Sequence, residues 1–405
     1  MTQALRFGIV GIGGYGGHIL STLRASSSGV NPPVKLMAVC DPDVNRFKLE
    51  MNALREAGLS VYTKLDDLLN DTTVQAVWLP VPINLHTPFT LAALDAGKAV
   101  MCEKPAAGTV DEVDRMIAAR DRTGLLVAIG FQDIYDPLVQ DAKRRILAGE
   151  IGSISNASVW GVWPRDSHYY SRNTWAGALR RGDDWVLDSP ASNAMAHFIT
   201  LLLFLMGPTQ EESAVPISIE AELYRANPIE NYDTCGLRIT IEGGGTLLVL
   251  LTHAGRRECP TECVLTGSKG TLSFDGRDAM AWSINGKTQS LRRVEPHADM
   301  VRSFAGRFQG DPSSPIATLE TAWHHTVVIN GASQAAAVKD IPQTCIESVH
   351  RSSGAILHAI NGIETVLAEC AAGGKLLHES GLCAWTKPPA KLDLRGYRHF
   401  EGTPA

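Results

Sequence analysis

No long run of lysine or arginine occurs in the 405 residues, and the net charge is −6; together these exclude a general nucleic-acid binder. Nor is any apolar run long enough to cross a bilayer. The longest, FITLLLFLMG (198–207), falls short of the ~20 residues a spanning helix needs and predicts a buried helix. No cleavable signal is expected, because the early apolar run passes straight into a glycine-rich turn. No internal repeat is present. Paired cysteines are also lacking: the eight lie at 40, 102, 235, 259, 263, 345, 370 and 383. Only Cys259 and Cys263 are close, and no second pair or nearby histidine completes a zinc site. Eight reduced thiols, no metal and a cytoplasmic location are the expectation.

What is present fits a globular chain, with 44% hydrophobic and 20% charged residues and length for two domains. Over the first 130 residues short apolar runs alternate with helical stretches. FGIVGI (7–12), VKLMAVC (34–40), VQAVWL (74–79), KAVMC (98–102) and LLVAIG (125–130) read as strands of a parallel sheet covered on both faces. Between them lie a helix near 16–25, another carrying Phe47, Met51 and Leu54 on one stripe, and one that starts after Thr109, which forms a capping-box pattern with Glu112.

Beyond about 150 the pattern changes to alternation, in ISIEAELY (217–224) and LRITIE (237–242). TLLVLLTH (246–253) completes a hairpin across three glycines, and 262–275 reads as a second one. Helices are predicted near 190–206, 297–309, 318–337 and 355–371, followed by an irregular tail. The fold class is therefore α/β plus α+β. A Rossmann domain (1–133) precedes a domain with a mostly antiparallel open sheet flanked by helices (134–405), of which 350–405 forms a C-terminal extension.

VGIGGYGGHI (10–19) carries Gly11, Gly13 and Gly16 between strand and helix, with Tyr15 in the turn. The first glycine permits the tight turn, the second lets backbone approach a pyrophosphate, and the third allows close helix–strand packing. Asp41 closes the second strand, where a carboxylate would bond the adenosine ribose. Its charge disfavours a 2′-phosphate, so NAD is preferred over NADP, a preference that Arg46 moderates. A structural turn with a helix-capping aspartate is the alternative.

AVMCEKPAAG (99–108) ends an apolar run with Glu103 and Lys104, a costly place for two charges unless they have partners or a task. Following the fifth run, they emerge at the sheet edge where the nicotinamide should lie; a solvated surface pair is the alternative. GIGGYGGH, AGKAVMCEKPAA and GEIGSI resemble the signatures of the Gfo/Idh/MocA family of oxidoreductases (glucose–fructose oxidoreductase, inositol dehydrogenase and relatives). The resemblance implies that Lys104 reaches the substrate hydroxyl and the nicotinamide ribose, that Glu103 lies beside the cofactor, and that the bond before Pro105 is cis. WLPVPINLH (78–86) is similar to the family's cofactor loop, which implies contacts from Pro80, Pro82, Asn84 and His86. The chain has Val81-Pro82-Ile83 where the family often has Thr-Pro-Asn, with Asn84 one position late. His86 reads equally as a capped or packed histidine. GFQ (130–132) places Gln132 where the family has an amide near the nicotinamide.

The family's second chemical group comes from a helix bearing Asp and His four residues apart, and DSPASNAMAHF (188–198) matches it. His197 falls on the catalytic histidine. Asn193 stands where aspartate is common, on the same helix face at i and i+4. Asparagine can orient an imidazole but supplies no charge, so His197 is expected to be the weaker base and Lys104 to carry more of the alkoxide stabilisation. Asn193 could instead donate to a substrate hydroxyl. WGVWPRDSHYYSRNTWAG (160–177) matches the family's pocket wall, making Arg165, Tyr170 and Trp175 substrate candidates; a well-packed loop is the alternative. His324 and His325 are expected to be structural, and Arg256 and Arg257 to lie at the surface.

The resemblance thus implies an NAD-dependent dehydrogenase acting on a secondary alcohol of a sugar, cyclitol or related polyol. It also implies a homodimer or homotetramer through the C-terminal sheet; composition and run length lead to the expectation of no nucleic acid or membrane partner. Two alternatives stand: a redox-neutral enzyme that retains NAD and acts on glycosides by transient oxidation, and a non-catalytic NAD-binding regulator.

Overall fold

A computed structural model describes residues 3–275, 279–284, 287–292 and 296–404. The chain divides into two compact units. The first comprises Met1–Ala107, Glu112–Gln140 and Glu295–Ala322, and the second Gly108–Asp111, Asp141–Val294 and Trp323–Ala405. Glu295–Ala322, which the sequence reading put in the second domain, therefore groups with the first. The reason is apolar. Helix Pro296–Phe308 buries Met300, Val301 and Phe304, and the Phe304 ring lies 5.3 Å from that of Phe7 in the sheet.

The first unit is a six-stranded sheet of β1 (Leu5–Val10), β2 (Val34–Cys40), β3 (Ser60–Tyr62), β4 (Ala76–Leu79), β5 (Ala99–Cys102) and β6 (Val127–Ile129). Its order is β3-β2-β1-β4-β5-β6, and every pairing is parallel. The connecting helices include α1 (Tyr15–Ser26), α2 (Lys48–Glu56), α3 (Leu65–Leu69), α4 (Ile83–Asp95) and α5 (Val110–Thr123). All residues of β4, β5 and β6 are buried, as expected of a parallel sheet covered on both faces. β3 and α3 escaped the sequence reading because they are too short to show a period. The order reverses between β1 and β4, opening a crevice at the carboxyl ends of those strands.

The second unit holds a ten-stranded sheet. Its centre is Ile154–Val162, flanked by Cys259–Gly267 and Thr246–Thr252. Pairing is antiparallel except between Ile154–Val162 and Thr246–Thr252, and between Pro216–Arg225 and Lys339–Asp340. The predicted hairpin turns at 243–245, where all three glycines have positive φ. Helix Ala196–Leu205, within the long apolar run, buries nine of its ten residues. Its carboxyl end is met by the Lys143 ammonium, which donates to the carbonyls of Phe204, Gly207 (2.7 Å) and Glu212 (3.2 Å). This satisfies carbonyls that the helix leaves open; burial pushes the lysine pKa down to about 7.

Two expectations need correction. The predicted helix over 355–371 is a strand, Ile356–Ile360, paired with Ile346–His350, and the helix starts only at Ile363. Gly362 adopts φ 71° and separates them. The tail is not irregular throughout: Ala390–Asp393 pairs with Pro216–Arg225, and Ile360, Ile363, Leu367 and Leu376 pack with Leu248 and Leu250.

Candidate functional site

In the first unit the sequence candidates gather at the carboxyl edge of the sheet. Gly11 follows β1 with φ 90° and donates to Cys40 O at 2.8 Å. A Cβ on Gly16 would run into the Gly11 carbonyl, so only glycine lets α1 start so close to the strand. The α1 N-terminus has neither a side-chain cap nor an acidic residue in its first turn, so its dipole favours an anion there. Asp41 is 7% exposed and stitches the turn together. Its Oδ2 accepts from Ile12 N–H and its Oδ1 from Asp43 N–H, both at 2.9 Å. Each oxygen retains a second lone pair for a hydroxyl. Arg46 lays its guanidinium 5.1 Å from the Phe47 ring centroid. The hydroxyl of Tyr15 hydrogen-bonds His297 Nε2 at 2.7 Å, and the His297 ring meets that of His18 edge-on at 4.5 Å. Sequence reasoning could not find His297, which arrives from 282 residues downstream of Tyr15.

Glu103 and Lys104 leave β5 at this same edge, and the peptide bond between Lys104 and Pro105 is cis. The Glu103 carboxylate turns inward. It accepts from Trp78 Nε1–H (3.0 Å) and from the Lys104 N–H (3.3 Å). A Cβ on Gly130 would lie 2.6 Å from Glu103 Oε2, so the seat exists because β6 is followed by glycine. Burial raises the Glu103 pKa to about 7, with the neighbouring Lys104 charge opposing the rise. Gln132 opens the short helix after β6. Pro80 and Pro82 follow β4, Pro82 preceding the first turn of α4. Asn84 Oδ1, in that turn, is buried without a hydrogen-bond partner.

His86 is a correction. Its Nδ1 is 2.7 Å from Pro105 O and its Nε2 2.9 Å from Val81 O, so both nitrogens face backbone carbonyls. Burial pushes its pKa down against those carbonyls. A neutral ring serves one of them at a time. The residue braces two loops and has no nitrogen left for a dinucleotide.

In the second unit, Pro190–Ala194 forms a π-helical turn capped by Ser189, and Met195 (φ −115°, ψ 15°) separates it from helix Ala196–Leu205. Asn193 and His197 therefore sit on successive elements, not on one regular helix face. Pro190 and the Ser189–Ser192 capping box impose the wider first turn. Asn193 does not lack a carboxylate: its Nδ2 donates to Asp188 Oδ1 at 2.7 Å, while Asp188 Oδ2 accepts from Gly177 N–H at 2.7 Å. Asp188, five residues earlier, was overlooked because it falls outside the i, i+4 pattern. His325, 0% exposed, places Nε2 3.1 Å from Ala191 O, the structural role expected of it. Arg256 is exposed and ion-paired with Glu347.

The parallel pair Ile154–Val162 and Thr246–Thr252 emits the candidate pocket wall. Trp163 N–H donates to Thr252 O (3.0 Å) and Arg165 N–H to His253 O (2.9 Å). The Arg165 guanidinium lies 4.8 Å from the Tyr169 ring centroid, and that of Arg172 lies 3.4 Å from Tyr169 and 5.4 Å from Trp175. The Tyr169 ring meets Tyr170 at 5.2 Å and His253 at 5.8 Å. Trp163 meets Phe198, the neighbour of His197, edge-on at 5.8 Å. Arg165, Tyr170 and Trp175 are thus joined through Tyr169 and Arg172, which the sequence reading did not name. Burial, then the Arg165 and Arg172 charges, hold the His253 pKa well below its usual value. Burial raises that of Tyr170 well above. Among the described residues no group of three or more His, Cys, Asp or Glu is placed to hold a metal ion.

A parallel α/β sheet with a glycine turn, an uncapped helix start and a carboxylate closing β2 has the architecture of a dinucleotide-binding fold. Residues 5–131 match the GFO_IDH_MocA model, described as an oxidoreductase family with an NAD-binding Rossmann fold. Over 151 residues it is 36% identical to the inositol 2-dehydrogenase of Salmonella paratyphi B, a match covering 37% of this chain and 44% of that one. The chain thus spans less than half the length of the curated relatives it matches. Two solved structures share the fold. The WlbA dehydrogenase of Bordetella pertussis, in complex with NADH and UDP-GlcNAcA, has TM-score 0.67 at 22% identity, covering 82% of this chain and 95% of that one. KijD10, a 3-ketoreductase of Actinomadura kijaniata in complex with TDP-benzene and NADP, has TM-score 0.65 at 17% identity, covering 84% and 100%.

Proposed function

We propose that the protein is a dehydrogenase that moves a hydride between NAD and a secondary alcohol of a sugar, cyclitol or related polyol. Gly11, Gly13 and Gly16 would hold the phosphates and Asp41 the adenosine ribose. Pro80, Pro82, Asn84, Glu103, Lys104 and Gln132 would face the nicotinamide half. The glycine cradle, the uncapped α1 N-terminus and the unmet Asn84 Oδ1 fit such a group. Bound there, NAD supplies the hydride acceptor. Asp41 carries the preference over NADP, because a 2′-phosphate would meet a carboxylate.

Lys104 stabilises the alkoxide that develops as the hydroxyl proton leaves, and His197 takes that proton. Such assistance is worth about 10²–10⁴-fold, and positioning supplies the larger share of the acceleration. Asn193, held by Asp188, orients the helix start that carries His197. Arg165, Tyr170 and Trp175 wall the substrate. Eight free cysteines support a reducing, cytoplasmic setting. A homo-oligomer through the C-terminal sheet is part of the proposal.

The observation that carries the reading is the place of Lys104. It leaves β5, two strands from the glycine turn in the order β1-β4-β5, beside a carboxylate kept inside the sheet. The test is a panel of sugars, cyclitols and glycosides with added NAD, followed at the reduced-nicotinamide band with product analysis. Reduction by at least one polyol, abolished by Lys104→Ala and by His197→Ala, is expected. Turnover of a glycoside with no net NADH would replace the reading with redox-neutral chemistry, and NAD binding without turnover would leave a regulator.

A further inference from the structure

The pocket wall of the second unit contains three polar atoms that folding has buried without giving them partners: Arg165 Nε, the Tyr170 hydroxyl and His253 Nε2. Buried donors almost always find a partner, and three unmet in one cluster point to a missing ligand. The guanidinium groups of Arg165 and of the exposed Arg172, which also donates to Tyr169 O at 3.2 Å, lie 4.8 Å and 3.4 Å from the Tyr169 ring centroid. Some other arginines are ion-paired, as Arg120 is with Glu320 and Arg238 with Glu220 and Glu379. No carboxylate lies within ion-pair reach of Arg165 or Arg172 among the described residues. The two buried carboxylates nearby are engaged otherwise. Asp188 is held by Gly177 and Asn193. Asp233 accepts from Ala226 N–H, Asn227 N–H and Nδ2, and the Thr234 hydroxyl.

The hydroxyls of a neutral polyol could satisfy Tyr170 and His253 but would bring no charge to the Arg165 guanidinium, whose Nε is buried and unmet, or to Arg172 at the solvent edge beside it. A carboxylate or phosphate does both, since the guanidinium fork matches its geometry. We infer that the substrate carries an oxyanion, a carboxylate or a phosphate, gripped by Arg165 and Arg172 with hydrogen bonds from Tyr170 and His253. The inference rests on the dehydrogenase reading for the alcohol that reacts, but not for the anion that binds.

The test is binding, separate from turnover. Glucuronate, glucose 6-phosphate, glucose and myo-inositol are titrated by calorimetry into the full chain, with NAD titrated as a control for folding. The expected result is that glucuronate or glucose 6-phosphate binds at least tenfold tighter than both neutral probes. Arg165→Met and Arg172→Met should each lose about 10–100-fold of that affinity, as for hydrogen bonds to a charged group, while NAD affinity stays within twofold. Arg165→Lys should recover part of the loss. The choice between the two acidic probes separates a carboxylate source from a phosphate source. Equal binding of all four probes, no binding by either acidic probe, or unchanged acidic-probe binding in both Met variants overturns the inference. If neutral polyols reduce NAD while the arginine variants behave as wild type, the dehydrogenase reading survives without the anion. Acidic-probe binding without hydride transfer to NAD would do the reverse.

Discussion

The candidate site groups of the two units differ in how their buried polar atoms are met. In the first, nearly every candidate is tied to its own chain: Asp41 by two backbone N–H groups, His86 by two carbonyls, Glu103 by Trp78 and a backbone N–H. In the second, Arg165, Tyr170 and His253 each keep a buried atom unmet. A cradle made of backbone suits a ligand with an invariant phosphate end, because backbone offers the same donors whatever the side chains are. A cluster of unmet side chains suits a ligand whose identity must be read, since such groups discriminate by what they lose when the partner is wrong.

The sharpest way to break this contrast is to alter Lys104, which leaves β5 at the sheet edge. Lys104→Ala should lower turnover about 10²–10⁴-fold and leave NAD affinity within a few-fold, read by steady-state rates beside a cofactor titration. A large loss of NAD affinity with little loss of turnover would make Lys104 part of the cradle. Next comes Glu103. Burial raises its pKa in the folded state to about 7, from the usual 4.5 of an exposed glutamate. Folding therefore favours its protonated form, and its contribution to stability is lost as pH rises from about 4.5 to about 7. The rise corresponds to about 3 kcal/mol. Glu103→Gln should remove that dependence, so urea unfolding at pH 5 and pH 8 should show the variant gaining on the wild type at pH 8. An unchanged difference between the two pH values would mean that the carboxylate is not desolvated.

Gly130→Ala should cost about 1–3 kcal/mol, because the new Cβ would crowd Glu103 Oε2 at 2.6 Å. The double variant with Glu103→Gln should keep most of that cost, since the amide fills the same space. Smallest of all is Arg256→Ala, which breaks an exposed ion pair with Glu347. A change under about 0.5 kcal/mol is expected, in contrast with any variant at the buried groups.

Much of the first unit was legible because its signals are local. A glycine turn, a carboxylate ending a strand and a Glu-Lys-Pro after another are short words, and a parallel sheet lines up their positions along one edge. The second unit was less legible because its site is assembled over distance. Asp188, Arg172 and His253 lie in three segments, and only the parallel pairing of Ile154–Val162 with Thr246–Thr252 puts Arg165 beside His253. Helical spacing also misled at Asn193 and His197, since a proline and a capping box turn the chain wider before the α-helix begins. At 355–371 a strand with apolar neighbours passed for a helix until Gly362 interrupted it. The return of Glu295–Ala322 to the first unit left no mark that a single sequence could display, because an amphipathic helix does not say which sheet it will cover.

The central claim of the proposal is that Lys104 and His197 are each needed for the alcohol oxidation. A double-mutant cycle on Lys104→Ala and His197→Ala, read as the single-turnover rate of NAD reduction with saturating polyol, addresses it directly. The account predicts that each change slows reduction by at least a hundredfold and that the double change costs much less than the product of the two, as for residues that act as a unit. Full-rate reduction in either single variant, with NAD still bound, would contradict it.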